Sequence, residues 1–471
     1  MTPFAHPPHP HPQPPEKKMI TCPRAGALAA LDHLDGTDRT LDAVLDDMAP
    51  VIHGLSRRDR ALFNHLVFGV LRWRLRLDAV IDAHANRPLN RITPTILNII
   101  RIGLYQIQFM DRIPASAAVN TAVGLAKNRQ SARAAGFVNA LLRNALRNPQ
   151  RYRAPDAESS PAAHMAAMKS FPRWLVFRWI QRYGIDTAGS LCDAMNTIPP
   201  ITIRCNLLKN SVTELFDTLK PQVERIVILD DIPCALSLDH PQTPISEMPA
   251  FVDGRFAVQD GAAQLISMLL APQPGETVLD ACAGLGGKTT HLAQIMHDQG
   301  AVVALDHVGA KLARLEAESQ RLGTTTVSTR CADIDRANMA AAFPRFDRIL
   351  LDAPCTGLGV LRRNPDAKWS SQKKDIARYA RRQLRFLERL APLLKKNGVL
   401  VFSVCSMEPE ENEQVVFRFL KNHPDFVIDK HQSDAADCVK VYMDRDGFFR
   451  TAPHTHNMDG FFAARLKRTR G

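Results

Sequence analysis

The sequence lacks the patterns of a metalloprotein, a disulfide-rich protein or a membrane protein. Its nine cysteines form no CxxC pair, follow no zinc-ligand spacing and are odd in number, which argues against a structural metal and against a disulfide framework. It contains no run of about 18 apolar residues, and residues 1–18 lack the apolar core of a signal peptide. We therefore expect a cytoplasmic protein with no metal and no membrane partner.

The length and charge of the chain limit its organisation and its partners. At 471 residues it is too long for one hydrophobic core, so two or three domains are expected. Its net charge is +12 and its isoelectric point is about 9.4. An excess of that size favours a polyanionic partner such as nucleic acid, and a solvated basic surface without such a partner is the alternative.

Two N-terminal regions differ in composition. Residues 1–18 are rich in Pro and His and predict a disordered tail. Residues 19–150 have helical apolar periodicity, clearest over 58–82, 92–110 and 134–148. Arginines are interspersed, and an all-helical basic domain fits RNA binding because Arg pairs with phosphates and stacks on bases. A helical bundle solubilised by arginines is the alternative.

A linker and a small mixed unit are expected next. Composition predicts the linker at 150–170, and a short helix is predicted at 173–183. Alternating, strand-like stretches at 201–208 and 224–230 indicate a small α+β unit over residues 171–255.

From 256 to 471 strand-like and helix-like segments alternate, as in a Rossmann-like α/β domain. Strands are predicted at 277–282, 301–306, 325–333, 346–354 and 398–406, and helices at 288–298, 309–322, 375–394 and 410–423. Cys355 and Cys405 lie at the ends of the last two predicted strands, which are short and rich in Ile, Leu and Val. Because the carboxyl ends of neighbouring parallel strands open into one crevice, we expect the two thiols to face one pocket.

The segment DACAGLGGKTT at 280–290 joins the first predicted strand of this domain to its first helix. Its glycines let the backbone approach a ligand, and the helix after them presents free N–H groups. Neither phosphate-binding motif fits. A P-loop requires Gly at the position of Cys282, and the dinucleotide fingerprint ends here on Thr289 instead of Gly or Ala.

Acidic residues end the next three predicted strands, namely Asp306, Asp333 and Asp352. A carboxylate in that position can accept hydrogen bonds from ribose hydroxyls. Taken singly, each aspartate is also typical of a helix cap or turn. As an ordered set they suit a nucleoside ligand that lacks phosphates, and S-adenosylmethionine is such a ligand.

A pocket with two thiols and a methyl donor suits methylation of cytosine. Carbon 5 of cytosine is too weak a nucleophile to accept a methyl group unaided. A thiolate that adds to carbon 6 converts the ring into an enamine, whose carbon 5 can attack the methylsulfonium. A base must then remove the carbon-5 proton so that the thiolate can leave. Buried, inert cysteines are the alternative.

The two cysteine segments carry a family resemblance. DAPCTGLG around Cys355 and SVCSMEPEEN around Cys405 resemble the two signature cysteine motifs of the NOL/NOP2/Sun family of RNA 5-methylcytosine methyltransferases. Segments 256–267, 362–369 and 459–466 are similar to further blocks of that family. GFVNALLRN, within the helical region, resembles the NusB-like RNA-binding domain. The resemblance spans nearly the whole chain, and this domain combination is typical of the bacterial Sun branch, which methylates 16S ribosomal RNA.

The resemblance implies roles for individual residues. It implies that Cys405 is the nucleophile and that Cys355 assists release, roles that spacing alone leaves interchangeable. It also implies that Asp352 contacts the target cytosine. The residues that it implies for S-adenosylmethionine are Cys282, Ala283, Gly284, Leu285, Gly286, Gly287, Lys288, Asp306, Asp333 and Asp352.

Two further expectations concern single side chains. The chain has CAGLGGK where the family has CAAPGGK, so Leu285 replaces Pro; this change relaxes the loop, and we expect altered cofactor affinity. Arg362, Arg363 and Lys368 follow Cys355 and are candidates for RNA backbone contacts, and surface cations without a role are the alternative.

The function predicted from the sequence is methylation of carbon 5 of a cytosine in 16S ribosomal RNA, either naked or in an assembling small subunit, by a monomeric enzyme. The target base must be splayed out of its stack, because carbon 6 is attacked from the ring face. Transfer RNA is an alternative substrate. A NusB-like RNA-binding or assembly factor with an inactive methyltransferase domain is a further alternative, against which the intact pair of cysteines argues.

Overall fold

The structure is a computed structural model that describes residues 22–37, 39–336, 338–430 and 434–469. The predicted tail at 1–18 lies outside these residues. The chain forms two compact units, Met1–Pro155 and Asp156–Gly471. Among the described helices, none is long and apolar enough to cross a membrane.

The first unit is all helical where it is described, as its periodicity predicts. Its helices are α1 (Pro23–Asp35), α2 (Leu41–Asp47), α3 (Ala49–His53), α4 (Arg57–His84), α5 (Pro94–Phe109), α6 (Ala115–Arg129) and α7 (Ala132–Arg147). Local sequence fixes several starts: the Ser56 hydroxyl, for example, accepts the Asp59 N–H at the start of α4, which satisfies a donor that the first turn leaves free. Some arginines of α4 are engaged inside the unit, since Arg72 is buried and Arg74 pairs with Asp35 at 2.8 Å.

The second unit begins with three helices, α8 (Pro161–Lys169), α9 (Arg173–Tyr183) and α10 (Ile185–Asn196). The predicted linker at 150–170 is therefore wrong in its second half. Pro161 occupies the first turn of α8, where its missing N–H has no helical partner to lose. The alanine-rich sequence after it favours the helix.

A small antiparallel sheet follows, with the strand order β2-β3-β1-β4. Its strands are β1 (Ile201–Cys205), β2 (Val223–Ile228), β3 (Ala235–Pro241) and β4 (Phe256–Val258), and its helices are α11 (Val212–Leu219) and α12 (Pro249–Val252). Ile203, Leu236 and Phe256 on the sheet pack with Leu215 of α11 in one apolar core. The α+β character matches the prediction, although the sequence pattern indicates only β1 and β2.

An eight-stranded sheet forms the rest of the second unit, in the order β10-β12-β9-β8-β5-β6-β7 with β11 beside β12. Strands β5 to β9 are parallel, and β12 runs antiparallel to β9. The bounds are β5 (Thr277–Asp280), β6 (Ala301–Asp306), β7 (Val327–Cys331), β8 (Phe346–Asp352), β9 (Leu394–Val404), β10 (Phe426–Ile428), β11 (Phe448–Arg450) and β12 (Phe462–Arg468). The five parallel strands are those predicted from the sequence.

Helices cover both faces of this sheet, so both faces carry apolar cores, as parallel sheets require. They are α13 (Gly261–Leu270), α14 (Gly287–Ile295), α15 (Gly309–Leu322), α16 (Met339–Ala342), α17 (Ala367–Ser370), α18 (Lys373–Leu390), α19 (Glu413–Asn422), α20 (Asp437–Lys440) and α21 (Pro453–His456). The chain runs outward from β5 to β7 and then returns to β8 on the other side of β5. Open α/β sheets bind ligands at such a switch point, so the loops after β5 and β8 are placed to form a site.

Candidate active site

Two neighbouring parallel strands bring the cysteines together. In the pairing of β8 with β9, Asp352 lies opposite Ser403, and each chain then continues into a loop that carries Cys355 or Cys405. The two Sγ atoms lie 3.2 Å apart, and both residues are partly buried. The expectation that the thiols meet at one edge of the sheet is therefore confirmed.

A buried carboxylate joins the two cysteine loops. Glu411 accepts hydrogen bonds from the Thr356 N–H at 2.9 Å and the Thr356 hydroxyl at 2.5 Å. It also accepts from the Ser406 hydroxyl at 2.6 Å and from Gln383 Nε2 on α18 at 3.3 Å. Burial raises the pKa of Glu411, and these donors partly offset that effect. Because Thr356 and Ser406 follow the two cysteines directly, one side chain fixes the separation of the thiols.

A close backbone contact supports the Cys405 loop. The Gly359 N–H donates to the Cys405 carbonyl at 2.9 Å, and the Gly460 N–H donates to the Gly359 carbonyl at 2.8 Å. A Cβ atom at Gly359 would lie 1.9 Å from the Gly460 oxygen, so this approach requires glycine.

The two thiols differ in their electrostatic environment. The hydrogen bond with Cys405 and burial raise the pKa of Cys355 well above 9.0, and the Glu411 charge contributes in the same direction. Cys355 therefore keeps its proton at neutral pH, and its S–H donates to the Cys405 sulfur.

A charged pair stands beside the thiols. The Lys288 ammonium lies 2.6 Å from Asp352 Oδ2, and the Ser403 hydroxyl donates to Asp352 Oδ1 at 2.8 Å. Burial lowers the pKa of Lys288, but Asp352, Asp280 and the Cys405 thiolate together raise it by more. The ammonium is therefore charged at neutral pH.

The loop after β5 wraps over the carboxylate of Asp306. Asp306 accepts the Gly284 N–H at 3.0 Å through Oδ2 and the Val308 N–H at 2.9 Å through Oδ1. Gly286 has φ +85°, and a Cβ there would lie 2.4 Å from Leu315 Cγ. Only glycine permits this path, which brings the backbone against α15.

The remaining predicted loop residues lie in the same loop. The Ala283 N–H donates to the Leu305 carbonyl at 2.9 Å, and Gly287 begins α14. Burial raises the pKa of Cys282 well above 9.0, so its thiol is unreactive at neutral pH. Leu285 is exposed over 47% of its surface.

Carboxylates dominate the strand ends around this loop. Asp306 is nearly buried, whereas the side chains of Asp333 and Asp352 are 31% and 29% exposed. Asp280, at the end of β5, accepts the Thr289 hydroxyl at 2.7 Å, and within the described residues its other oxygen has no partner. Such a set repels phosphate and fits the hydroxyls and positive charge of S-adenosylmethionine.

The prediction of RNA backbone contacts is wrong for Arg362 and Lys368. Both side chains are about 1% exposed. The Arg362 guanidinium bonds to Asp459 at 2.8 Å, and Lys368 Nζ donates to Asn196 Oδ1 at 2.6 Å. Arg363 pairs with Asp459 and Asp260, both at 2.7 Å. Buried ion pairs hold the segment after Cys355 in place.

Sequence reasoning missed Glu411 and Gln383. The EPEEN segment carries three acids after Cys405 and suggests only the acidic start of a helix. The one sequence signal for Glu411 is its position six residues after Cys405. A carboxylate so close to a predicted catalytic loop can be a buried hydrogen-bond acceptor of that loop.

Models of known protein families match the chain in three parts. Residues 267–467 match the family described as 16S rRNA methyltransferase RsmB/F. Residues 22–147 match the NusB family, and residues 171–245 match the ferredoxin-like domain of RsmF/B-like methyltransferases.

Whole-chain relatives agree with these matches. The Synechocystis protein named probable ribosomal RNA small subunit methyltransferase B is 36% identical over 432 residues, 92% of this chain and 95% of its own length. The Pasteurella multocida ribosomal RNA small subunit methyltransferase B is 34% identical over 88% of this chain and 90% of its own. The crystal structure of PH0851 superposes with a TM-score of 0.79 at 25% identity, covering 96% of this chain and all of that one. The chain belongs to the RsmB/Sun family of 16S ribosomal RNA 5-methylcytosine methyltransferases.

Proposed function

We propose that this enzyme methylates carbon 5 of a cytosine in 16S ribosomal RNA through a covalent bond between Cys405 and carbon 6 of the base. Membership of the family makes the chain an S-adenosylmethionine-dependent 16S rRNA cytosine-5 methyltransferase. The observation that supports the covalent route is the pair of thiols 3.2 Å apart, at the same sheet edge as a nucleoside-binding loop.

The residues that would hold S-adenosylmethionine are those of the loop after β5 and the acidic strand ends. The backbone of residues 282–288 would border it, and Asp306 and Asp333 would accept hydrogen bonds from its polar groups. When bound, it supplies an electrophilic methyl group. Asp352, held by Lys288 and Ser403, keeps a fixed carboxylate between this loop and the thiols, where it would contact the exocyclic amine of the cytosine.

The proposed roles of the thiols are those that the family resemblance implies, and the raised pKa of Cys355 supports them because a protonated thiol is not a nucleophile. The Cys405 thiolate forms the bond to carbon 6, which activates carbon 5. Once that sulfur is bonded to carbon it carries no charge and accepts no strong hydrogen bond. The largest cause of the raised pKa of Cys355 is then removed, so Cys355 loses its proton to solvent more readily. Its thiolate can then accept the carbon-5 proton as the bond between sulfur and carbon 6 breaks and Cys405 leaves as a thiolate.

We propose the following division of the chain. Residues 19–150 and 171–255 would form two RNA-binding domains, NusB-like and α+β, and residues 256–471 would form the catalytic domain. The match of the first two regions to NusB and ferredoxin-like families supports this division. We further propose that the enzyme acts as a monomer in the cytoplasm, where 16S ribosomal RNA is found.

Methyl transfer to defined RNAs tests this function. The purified full chain is incubated with labelled S-adenosylmethionine and either unmodified 16S ribosomal RNA, assembling small subunits or total transfer RNA. We expect label in 16S RNA, at carbon 5 of cytosine after digestion to nucleosides. Label confined to transfer RNA would overturn the substrate assignment, and binding of S-adenosylmethionine without transfer to any RNA would indicate an inactive module.

Restoring the family proline should tighten cofactor binding. Leu285 is largely exposed, and its N–H donates no backbone hydrogen bond within the described residues, so Leu285→Pro removes conformational freedom without removing a bond. A compatible proline is worth about 0.4–1 kcal/mol, which corresponds to a Kd for S-adenosylmethionine about twofold to fivefold lower. Calorimetric titration measures this, and an unchanged or weaker Kd would contradict the proposed role of the loop.

Cofactor affinity should also fall in mild acid because of Asp280. Burial raises the pKa of Asp280 from 3.8 to about 6, so its negative charge is lost as the pH falls through that value. If the charged form is the one that favours a cationic ligand, the Kd rises about fourfold between pH 7 and pH 5.5. Titration at both values should show this rise in the wild type and a flat, weaker profile in Asp280→Asn; equal slopes would exclude Asp280 as the cause.

A further inference from the structure

Helix α9 exposes an aromatic and cationic face. The helix buries Leu175, Val176 and Trp179. The adjacent face of the helix is exposed to solvent. Phe177 is 55% exposed, and Arg173 lies one turn before it on the same face. A single exposed aromatic side chain is common, but Phe177 lies in one pocket with Trp174 and Pro409, and contiguous apolar patches rimmed by polar residues mark interaction sites.

This face lines a groove of about 770 Å³. The residues that line it are Arg173, Trp174, Phe177, Arg178, Trp179, Gln181, Arg182, Lys373, Glu408 and Pro409. We call it the α9 groove. Its volume lies within the range of about 300–1,000 Å³ that is usual for pockets that bind small molecules, so one or two nucleotides fit.

The α9 groove lies beside both cysteine loops. Glu408 forms part of its wall, three residues after Cys405, and accepts the Trp179 indole N–H at 3.2 Å. On the other side Lys373 begins α18, and nearby the Ser371 hydroxyl donates to the Thr356 carbonyl at 3.4 Å. A chain that occupies the groove is therefore adjacent to the site where a cytosine must reach the thiols.

The charges of the α9 groove favour an anion. Arg178 is neutralised by Glu408 and Glu410 at 2.6 and 2.8 Å. Arg173 and Lys373 are exposed, and among the described residues their side chains have no hydrogen bond or ion pair. On α18, Lys374 and Arg381 are further exposed cations, whereas Arg378 and Arg385 pair with Asp375 and Asp335 at 3.1 and 3.3 Å.

We propose that the α9 groove binds an unpaired nucleotide of the substrate RNA next to the target cytosine. Its base would stack on Phe177 and Trp174, and its phosphates would lie against Arg173 and Lys373. Proteins hold single-stranded RNA with this combination of exposed aromatics and cations. The inference rests on the proposed RNA methyltransferase function. It adds a binding site for the nucleotide that loses its stacking partner when the target cytosine is splayed out.

Binding and kinetics with matched variants test the α9 groove. The full chain carries Phe177→Ala, Lys373→Gln or Arg173→Gln. Phe417→Ala, an equally exposed phenylalanine on α19, and Lys421→Gln, an exposed lysine on the same helix, serve as controls. The probe is an unmodified 16S ribosomal RNA transcript, and the readouts are Kd at several salt concentrations, KM and kcat, and the Kd for S-adenosylmethionine.

Loss of one stacked base should raise the Kd and KM for RNA about tenfold in Phe177→Ala, while kcat and the Kd for S-adenosylmethionine stay within twofold of wild type. Each cation variant should reduce the slope of log Kd against log salt by about 0.7, the value for one phosphate contact on single-stranded RNA. Both control variants should match wild type.

Two results would overturn the inference. One is a Phe177→Ala variant that binds RNA as tightly as Phe417→Ala. The other is a variant that is impaired only on assembling subunits and not on naked RNA, which would indicate a protein occupant. If wild type binds the transcript but transfers no methyl group, the proposed function fails, and the RNA affinities of the variants still decide whether the groove binds RNA.

Discussion

Replacing Cys405 with alanine should abolish methyl transfer, and replacing Cys355 with alanine should trap the enzyme on its RNA. Without the Cys405 sulfur no bond to carbon 6 forms, so we expect a loss on the order of 10³-fold or more. Without Cys355 the bond forms but its release lacks the assisting thiol, a step for which acid–base catalysis supplies about 10²–10⁴-fold. Denaturing gels of enzyme with labelled 16S ribosomal RNA should therefore show a protein–RNA adduct in Cys355→Ala and none in Cys405→Ala.

A third cysteine provides the control for this pair. Cys438 is partly buried in the same compact unit and lies outside both cysteine loops, so Cys438→Ala should retain wild-type turnover and give no persistent adduct. An adduct in Cys405→Ala and none in Cys355→Ala would exchange the two roles. Full activity in both single variants would rule out covalent catalysis.

Replacing Glu411 with alanine should slow turnover by about 10²-fold, because small displacements of reacting groups have effects of that size. The variant loses four hydrogen bonds that join Thr356, Ser406 and Gln383. The loops that carry the thiols can then separate, and we expect kcat to fall while the Kd for S-adenosylmethionine remains unchanged. Steady-state kinetics and calorimetry measure the two quantities.

Glu411→Gln separates the geometric role of this residue from its charge. The amide can still bridge the loops, because the Thr356 and Ser406 hydroxyls can reverse and accept, so kcat should stay within about tenfold of wild type. The Glu411 charge contributes to the raised pKa of Cys355. Its removal should therefore shift the alkaline part of the pH–rate profile to lower pH.

The control for Glu411 is a carboxylate of the next helix. Glu413 pairs with Arg450 at 3.0 Å, and among the described residues its side chain makes no hydrogen bond or ion pair with the cysteine loops. Glu413→Gln should leave both kcat and the pH profile unchanged. Two results together would show that Glu411 has only a structural role. In one, the activity lost by Glu411→Ala is accounted for by the fraction of protein that is unfolded. In the other, Glu411→Gln has the same pH–rate profile as the wild type.

The meeting of the two thiols at one sheet edge was predictable from sequence because local patterns encode it. The apolar runs before Asp352 and Cys405 specify buried parallel strands, and strand neighbours bring their carboxyl ends together. The glycine loop and the aspartates at the ends of β6 and β8 and two residues after β7 follow from the same alternation of strands and helices. Strand β12 was not predicted. It carries Arg465, which is buried and paired with Asp429 at 2.9 Å. A charged residue in the middle of the segment breaks the run of apolar residues from which a buried strand is predicted.

Buried charges account for the other errors. Arg362 and Lys368 read as surface cations because their partners, Asp459 and Asn196, are distant in sequence and only the fold brings them close. Glu411 reads as a solvated helix residue for the same reason. Sequence reveals the residue types and local spacing of a site, whereas the long-range contacts that hold a site in place depend on tertiary structure.

The most direct test of the central claim is to locate the covalent bond. The adduct formed by Cys355→Ala with 16S ribosomal RNA is digested with nuclease and trypsin, and the modified peptide is identified by mass spectrometry. The account predicts a cytidine nucleotide on Cys405, attached through its sulfur and carrying one added methyl group on carbon 5. A nucleotide on any other residue of the chain would contradict it.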